Sequence, residues 1–111
     1  MQGIVLVEMK RVIDTSEVLG TVELPEGTCE VCASADAGYD ESAGRLVVNL
    51  DAFLRRTDLR KKERRLSANW LPQKETITES LNRDECHPVA VDIFHRWVRR
   101  VRAATPALHQ S

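Results

Sequence analysis

Cys29 and Cys32 stand three residues apart, the spacing with which two thiols grip a zinc ion or cycle between dithiol and disulfide. A tetrahedral zinc site needs four such donors, and Cys86 with His95 can complete one, His87 being the alternative to that pair. The local sequence works against it. From Cys29 to Ala35 apolar and polar residues alternate with period two, and in an extended strand positions i and i+3 face opposite ways. Glu30-Val31 has no glycine or proline to make the turn that chelation requires. Zinc on Cys29, Cys32, Cys86 and His95 is thus the minor expectation, no other cofactor is predicted, and three small buried packing residues are the major one. Thiol redox chemistry needs the first cysteine at a helix N-terminus, whereas the polar, glycine-interrupted run from Ala33 to Gly44 predicts no helix.

Other chemistry is equally sparse. The five glycines occur singly, which excludes both the dinucleotide-binding fingerprint and the phosphate-cradling loop. Asp36, Asp40 and Glu41 cluster without the spacing of a calcium loop and read as exposed hairpin acids. His95, beside Arg99 and Arg102 on a helix rim, reads as an amphipathic surface residue before it reads as a general base. No Ser, His and acid set stands out, so the chain leans away from being an enzyme.

Charge is the most unusual feature. Residues 1 to 51 carry ten acids against three bases, a net of −7, and residues 52 to 111 carry thirteen bases against seven acids, a net of +6. The near-neutral total of −1 conceals this division. Two interpretations compete: the halves neutralise each other in the fold or across a dimer, or the basic half offers a surface to an acidic partner. The candidate surface consists of Arg55, Arg56, Arg60, Lys61, Arg64, Arg65, Arg96, Arg99 and Arg100. With aromatic residues at 5% and mostly on apolar stripes, stacking on single strands is not supported, so any nucleic-acid contact would be led by the phosphate backbone.

The elements that must position these residues follow from periodicity. Ile4 to Ile13 is rich in β-branched and aliphatic residues and predicts a strand; Thr21 to Leu24 predicts a second, ended by Pro25-Glu26-Gly27. Cys29 to Ala35 predicts a third, and after a loop over 37–44, Arg45 to Leu50 predicts a fourth. Asn49 or Asp51 is suited to cap a helix beginning at Ala52, with a restart near Thr57-Asp58 and an apolar stripe of Leu59, Leu66 and Trp70. Residues 73–86 fit either a capped short helix or a β-branched strand. From Pro88 onward Ala90, Val91, Phe94, Trp97, Val98, Val101 and Ala104 share one arc of a helix that Pro106 ends.

The class expected is a single α+β domain spanning 1–111: an antiparallel sheet of about four strands from the N-terminal half, packed against two or three helices from the C-terminal half, with 107–111 a frayed tail. No run approaches the roughly 20 apolar residues of a membrane helix, Met1 to Val7 lacks a basic leader, and three cysteines suit a reducing compartment, so a cytoplasmic protein without membrane contact is expected. The function expected is a non-catalytic binding or regulatory module whose basic helical surface engages an acidic protein or a second copy of itself. The alternatives are backbone-led nucleic-acid binding, and a small-ligand site or enzyme between sheet and helices.

Overall fold

The structure, a computed structural model, describes residues 9–57 and 63–109. Among these residues five strands form one antiparallel sheet: β1 (Met9–Leu24), β2 (Gly27–Asp40), β3 (Arg45–Thr57), β4 (Glu63–Leu66) and β5 (Glu75–Ser80). A single 3-10 turn at Arg83–Glu85 leads into one helix, α1 (Cys86–Ala104). The order β1-β2-β3 is a meander, and the outer edge of β3 is shared: β5 pairs with Arg45 to Leu50, and β4 pairs with Leu54 to Thr57.

Strict alternation divides the sheet into two faces. Cys29, Val31, Ala33, Ala35, Ala37 and Tyr39 of β2 and Leu46, Val48, Leu50, Ala52 and Leu54 of β3 are buried against Ala90, Phe94, Trp97, Val98 and Val101 of α1. The three β2 alanines leave room for the large rings of the helix above them. Arg96 and Arg99 lie outside, in water, so α1 behaves as its apolar arc predicts. Where its outer edge passes from β5 to β4, β3 stays paired with β2 but has no strand on that edge, and side chains take over: the Trp97 Nε1–H donates to the Asp51 carbonyl at 2.8 Å, and the Asp51 carboxylate accepts the Ala52 N–H at 2.9 Å.

Several expectations are revised. Residues 52–57 are not helical, because Ala52 and Leu54 extend the inward alternation of β3 for two more turns of the pleat. Residues 63–66 are β4 and 67–74 a loop, so one helix stands where two or three were expected. Residues 58–62, with Asp58 of the expected restart and Leu59, lie outside the described residues, as does the start of the first strand, while Thr57 ends β3. The two expected strands before Pro25 are one bulged strand, and 75–80 takes the β-branched option, with Ile77 packed inward opposite Val48. α1 starts at Cys86, two residues before Pro88. Past its end, His109 exchanges two backbone hydrogen bonds with Thr21, at 2.8 and 2.9 Å. Gly20 makes room for this tie: a Cβ there would lie 2.3 Å from the His109 oxygen.

The β2–β3 turn is held by Asp40, whose carboxylate accepts from the Ser42 hydroxyl at 2.6 Å and from the Ser42 and Ala43 N–H groups at 3.1 and 3.2 Å. These bonds, the hydroxyl's first, hold its pKa below the ordinary value. A depressed carboxylate stabilises the fold above its unfolded pKa of about 4 and stops doing so as pH falls through the lower folded value. Urea unfolding at neutral and acidic pH should therefore show an acid loss of stability that is shallower in Asp40→Asn, and equal slopes would refute the assignment. Trp97→Phe keeps the packing but orphans the Asp51 carbonyl. It should cost about 1–3 kcal/mol in the same assay, against under about 0.5 kcal/mol for the exposed Arg99→Ala.

Candidate functional site

The basic residues fall into two separate groups. Arg55 and Arg56 on β3 stand directly opposite Arg65 and Arg64 on β4, so four guanidinium groups occupy two successive rungs of one ladder. Arg55 and Arg65 share the face away from α1, and Arg56 and Arg64 share the other. Like charges directly opposite in a ladder are each destabilising by roughly 0.2–1 kcal/mol. Local contacts hold this group: Arg55 Nε donates to Glu30 at 3.0 Å, the Arg65 guanidinium lies 4.2 Å over the Phe53 ring, and Arg56 approaches Gly27. Arg60 and Lys61 lie outside the described residues. Arg96, Arg99 and Arg100 project from α1, where Arg96 pairs with Asp92 at 2.6 Å and Arg100 pairs with Glu75 while covering Trp97.

Part of the charge division is neutralised inside the fold. Glu17, Glu30 and Glu41 of the acidic half pair with Arg102, Arg55 and Arg83 of the basic half. The densest run of one sign is local: between Arg55 and Arg65 the sequence holds seven Lys and Arg against Asp58 and Glu63.

The sheet face away from α1 carries what sequence reasoning missed. Asp14, Ser16 and Val18 of β1, Cys32, Ser34 and Asp36 of β2, and Asn49, Asp51 and Phe53 of β3 all lie on this face. Asp14 and Asp36 are directly opposite each other, a same-sign acidic rung. A cavity of about 360 Å³ opens over this zone, and a neighbouring one of about 500 Å³ fills the gap between β4 and β5; Asp51 and Lys74 border both. Thr76 donates to Asn49 at 2.8 Å across the floor. The signal was available in the opposite parity of each strand, which is mostly polar where the inward parity is apolar, with Val18, Cys32 and Phe53 among the exceptions.

The cysteines do not converge. Cys29 belongs to the core under α1, and Cys32 points to the other face beside Phe53 and Val18. Cys86 lies at the start of α1 near Tyr39, and its thiol donates to the Asn82 carbonyl at 3.4 Å. His95 is exposed on α1. None of the three thiols is in a disulfide, and among the described residues no three His, Cys, Asp or Glu side chains gather as a metal site would need. Burial, then Glu85 and Asp84, push the Cys86 thiol above its ordinary pKa, so its place at a helix N-terminus does not produce a thiolate. No described helix is long and apolar enough to cross a membrane. Comparisons of the chain with protein-family models, curated proteins and solved structures find no match.

Thiols buried this deeply should be inert. Iodoacetamide at neutral pH is expected to label none of Cys29, Cys32 and Cys86 in the folded protein and all three in denaturant, as read by intact mass. Rapid labelling of Cys86 in the native state would reverse this view of the site.

Proposed function

We propose that this chain is a non-catalytic binding module that engages an acidic protein surface through the β3–β4 hairpin. Arg55, Arg56, Arg64 and Arg65 make the contact, and the charged sequence between them extends it. The observation that supports this reading is the pair of arginine-on-arginine rungs. Such rungs oppose folding, and their planar guanidinium forks match carboxylates in bidentate geometry. Arg96, Arg99 and Arg100 play a lesser part, since Asp92 and Glu75 already hold two of them.

A nucleic-acid backbone is the alternative target. Against it stand the net charge of −1 and sequence pI near 6.3, where nucleic-acid domains are typically basic overall, and the acids that flank the hairpin on β2. Three thiols without disulfides fit a reducing compartment such as the cytoplasm.

Fluorescence anisotropy with labelled poly-L-glutamate as the probe tests the reading. Wild-type protein should bind at low salt, Arg56→Gln/Arg64→Gln should weaken binding roughly tenfold, about 1.4 kcal/mol, and Arg96→Gln/Arg99→Gln should leave it nearly unchanged. Tighter binding to a mixed-sequence DNA or RNA duplex would transfer the hairpin to the alternative target, and no binding at low salt would end the proposal.

A further inference from the structure

Ser67 follows Arg64-Arg65-Leu66 and, alone among the serines and threonines of the chain, has arginine both two and three residues before it. It is exposed, at the start of the loop 67–74. One step past the last β3–β4 pair, Leu54 with Leu66, it leaves the ladder level with Phe53 and lines the cavity of about 500 Å³ together with Asp51, Ala52 and Lys74. The Arg65 guanidinium lies over that same Phe53, 4.2 Å from the ring centre. Two cations therefore border the place of one hydroxyl. Among the described residues neither Arg65 nor Lys74 is in an ion pair, whereas Arg55, Arg96 and Arg100 each are.

We infer that Ser67 is a phosphorylation site whose phosphate folds back onto Arg65 and Lys74 and switches the arginine hairpin off. This rests on the reading of the hairpin as a surface for acids and names its regulation. The enzyme implied is a protein kinase that selects its serine by arginines on the N-terminal side, a charge pattern by which such enzymes tell substrates apart. Arg64 and Arg65 point to opposite faces of an exposed edge strand of only four residues, so a kinase cleft that takes up this segment in extended form reaches both. In the transfer the Ser67 Oγ bonds to the γ-phosphorus of a nucleoside triphosphate and the bond from that phosphorus to the β-phosphate oxygen breaks. Nucleoside diphosphate leaves, and the hydroxyl proton passes to the kinase's base.

The product reverses the local charge. A phosphoserine carries about −1.5 to −2 charges at pH 7 and three strong acceptor oxygens, which suit a guanidinium fork and an ammonium together. Asp51 is the one carboxylate among the described residues that line this cavity, and the two cations outweigh it. Arg65 stands opposite Arg55, so the phosphate also relieves that like-charged rung and competes for it with any carboxylate from outside.

The catalytic domain of an arginine-directed serine kinase, supplied with ATP, should add one phosphate to the folded full chain and none to Ser67→Ala, as read by intact mass. Phosphorus NMR should then show the second ionisation of the phosphate, ordinarily near about pH 6, lowered relative to that in a phosphopeptide of residues 63–70, with Arg65→Gln and Lys74→Gln each returning part of the shift. Circular dichroism establishes that each variant is folded. In the anisotropy assay the phosphorylated chain should bind poly-L-glutamate roughly tenfold more weakly than the unmodified chain. A folded chain that accepts no phosphate at Ser67, a phosphate that ionises as it does in the peptide, or phosphorylated protein that binds poly-L-glutamate undiminished would each overturn the inference and leave the hairpin reading standing. Absence of poly-L-glutamate binding by the unmodified chain would sink the hairpin reading and the switch together, a result that neither the mass nor the NMR measurement can produce.

Discussion

One helix can bury one face of a sheet, and that constraint organises this molecule. The chain spends most of its large apolar side chains on the inward parity of β2 and β3 and on a single arc of α1, which leaves the opposite parity largely polar, with Cys32 and Phe53 buried there. The helix is fixed where the outer edge of β3 has no strand beside it. β3 changes partner at Asp51 to Phe53, and there the Trp97 indole satisfies the carbonyl that a neighbouring strand would have used. A helix-to-sheet bond at that point sets the register of α1 and supports the backbone of the residue whose carboxylate borders both surface cavities.

The last helix was legible because its apolar positions repeat every three to four residues for five turns and nothing competes with that period. The meander was legible for the same reason with period two, though its lengths were not. Polar residues such as Asp14, Asp36 and Asp40 suggested breaks where the face away from α1 accepts polar residues without interrupting a strand. The largest misreading follows from the same source. Asn49 and Asp51 have good helix-capping side chains, and Ala52, Phe53 and Leu54 begin an apolar run of uncertain period, so local chemistry pointed to a helix. The longer alternation from Leu46 to Leu54 wins because every second residue lies in an already formed core, and tertiary burial outweighs a capping preference of about 1 kcal/mol.

The candidate surface was legible in composition and wrong in geometry. The arginines were identifiable from the charge division of the two halves, but their placement on two strands rather than a helix changes what they do. On a helix, residues 55, 56, 64 and 65 would spread around the axis and point into water separately. On a β-ladder the same residues meet in pairs across two rungs, concentrating charge in a way that a strand pair does not tolerate without a counterpart nearby.

That concentration is what the proposed role in binding rests on. The ion pairs that cross between the acidic and basic halves, Glu17 with Arg102, Glu30 with Arg55 and Glu41 with Arg83, account for the charge division as far as folding needs it, and each is exposed enough to contribute little. Same-sign rungs go the other way: Arg55 opposite Arg65, Arg56 opposite Arg64 and Asp14 opposite Asp36 each raise the energy of the isolated chain. A sheet built only to be stable would alternate the signs across these strands, as it does at Glu30 and Arg55. Glu30 beside Arg55 and Arg11 beside Asp14 offset part of that repulsion within the chain, and the acidic partner proposed above would offset more of it.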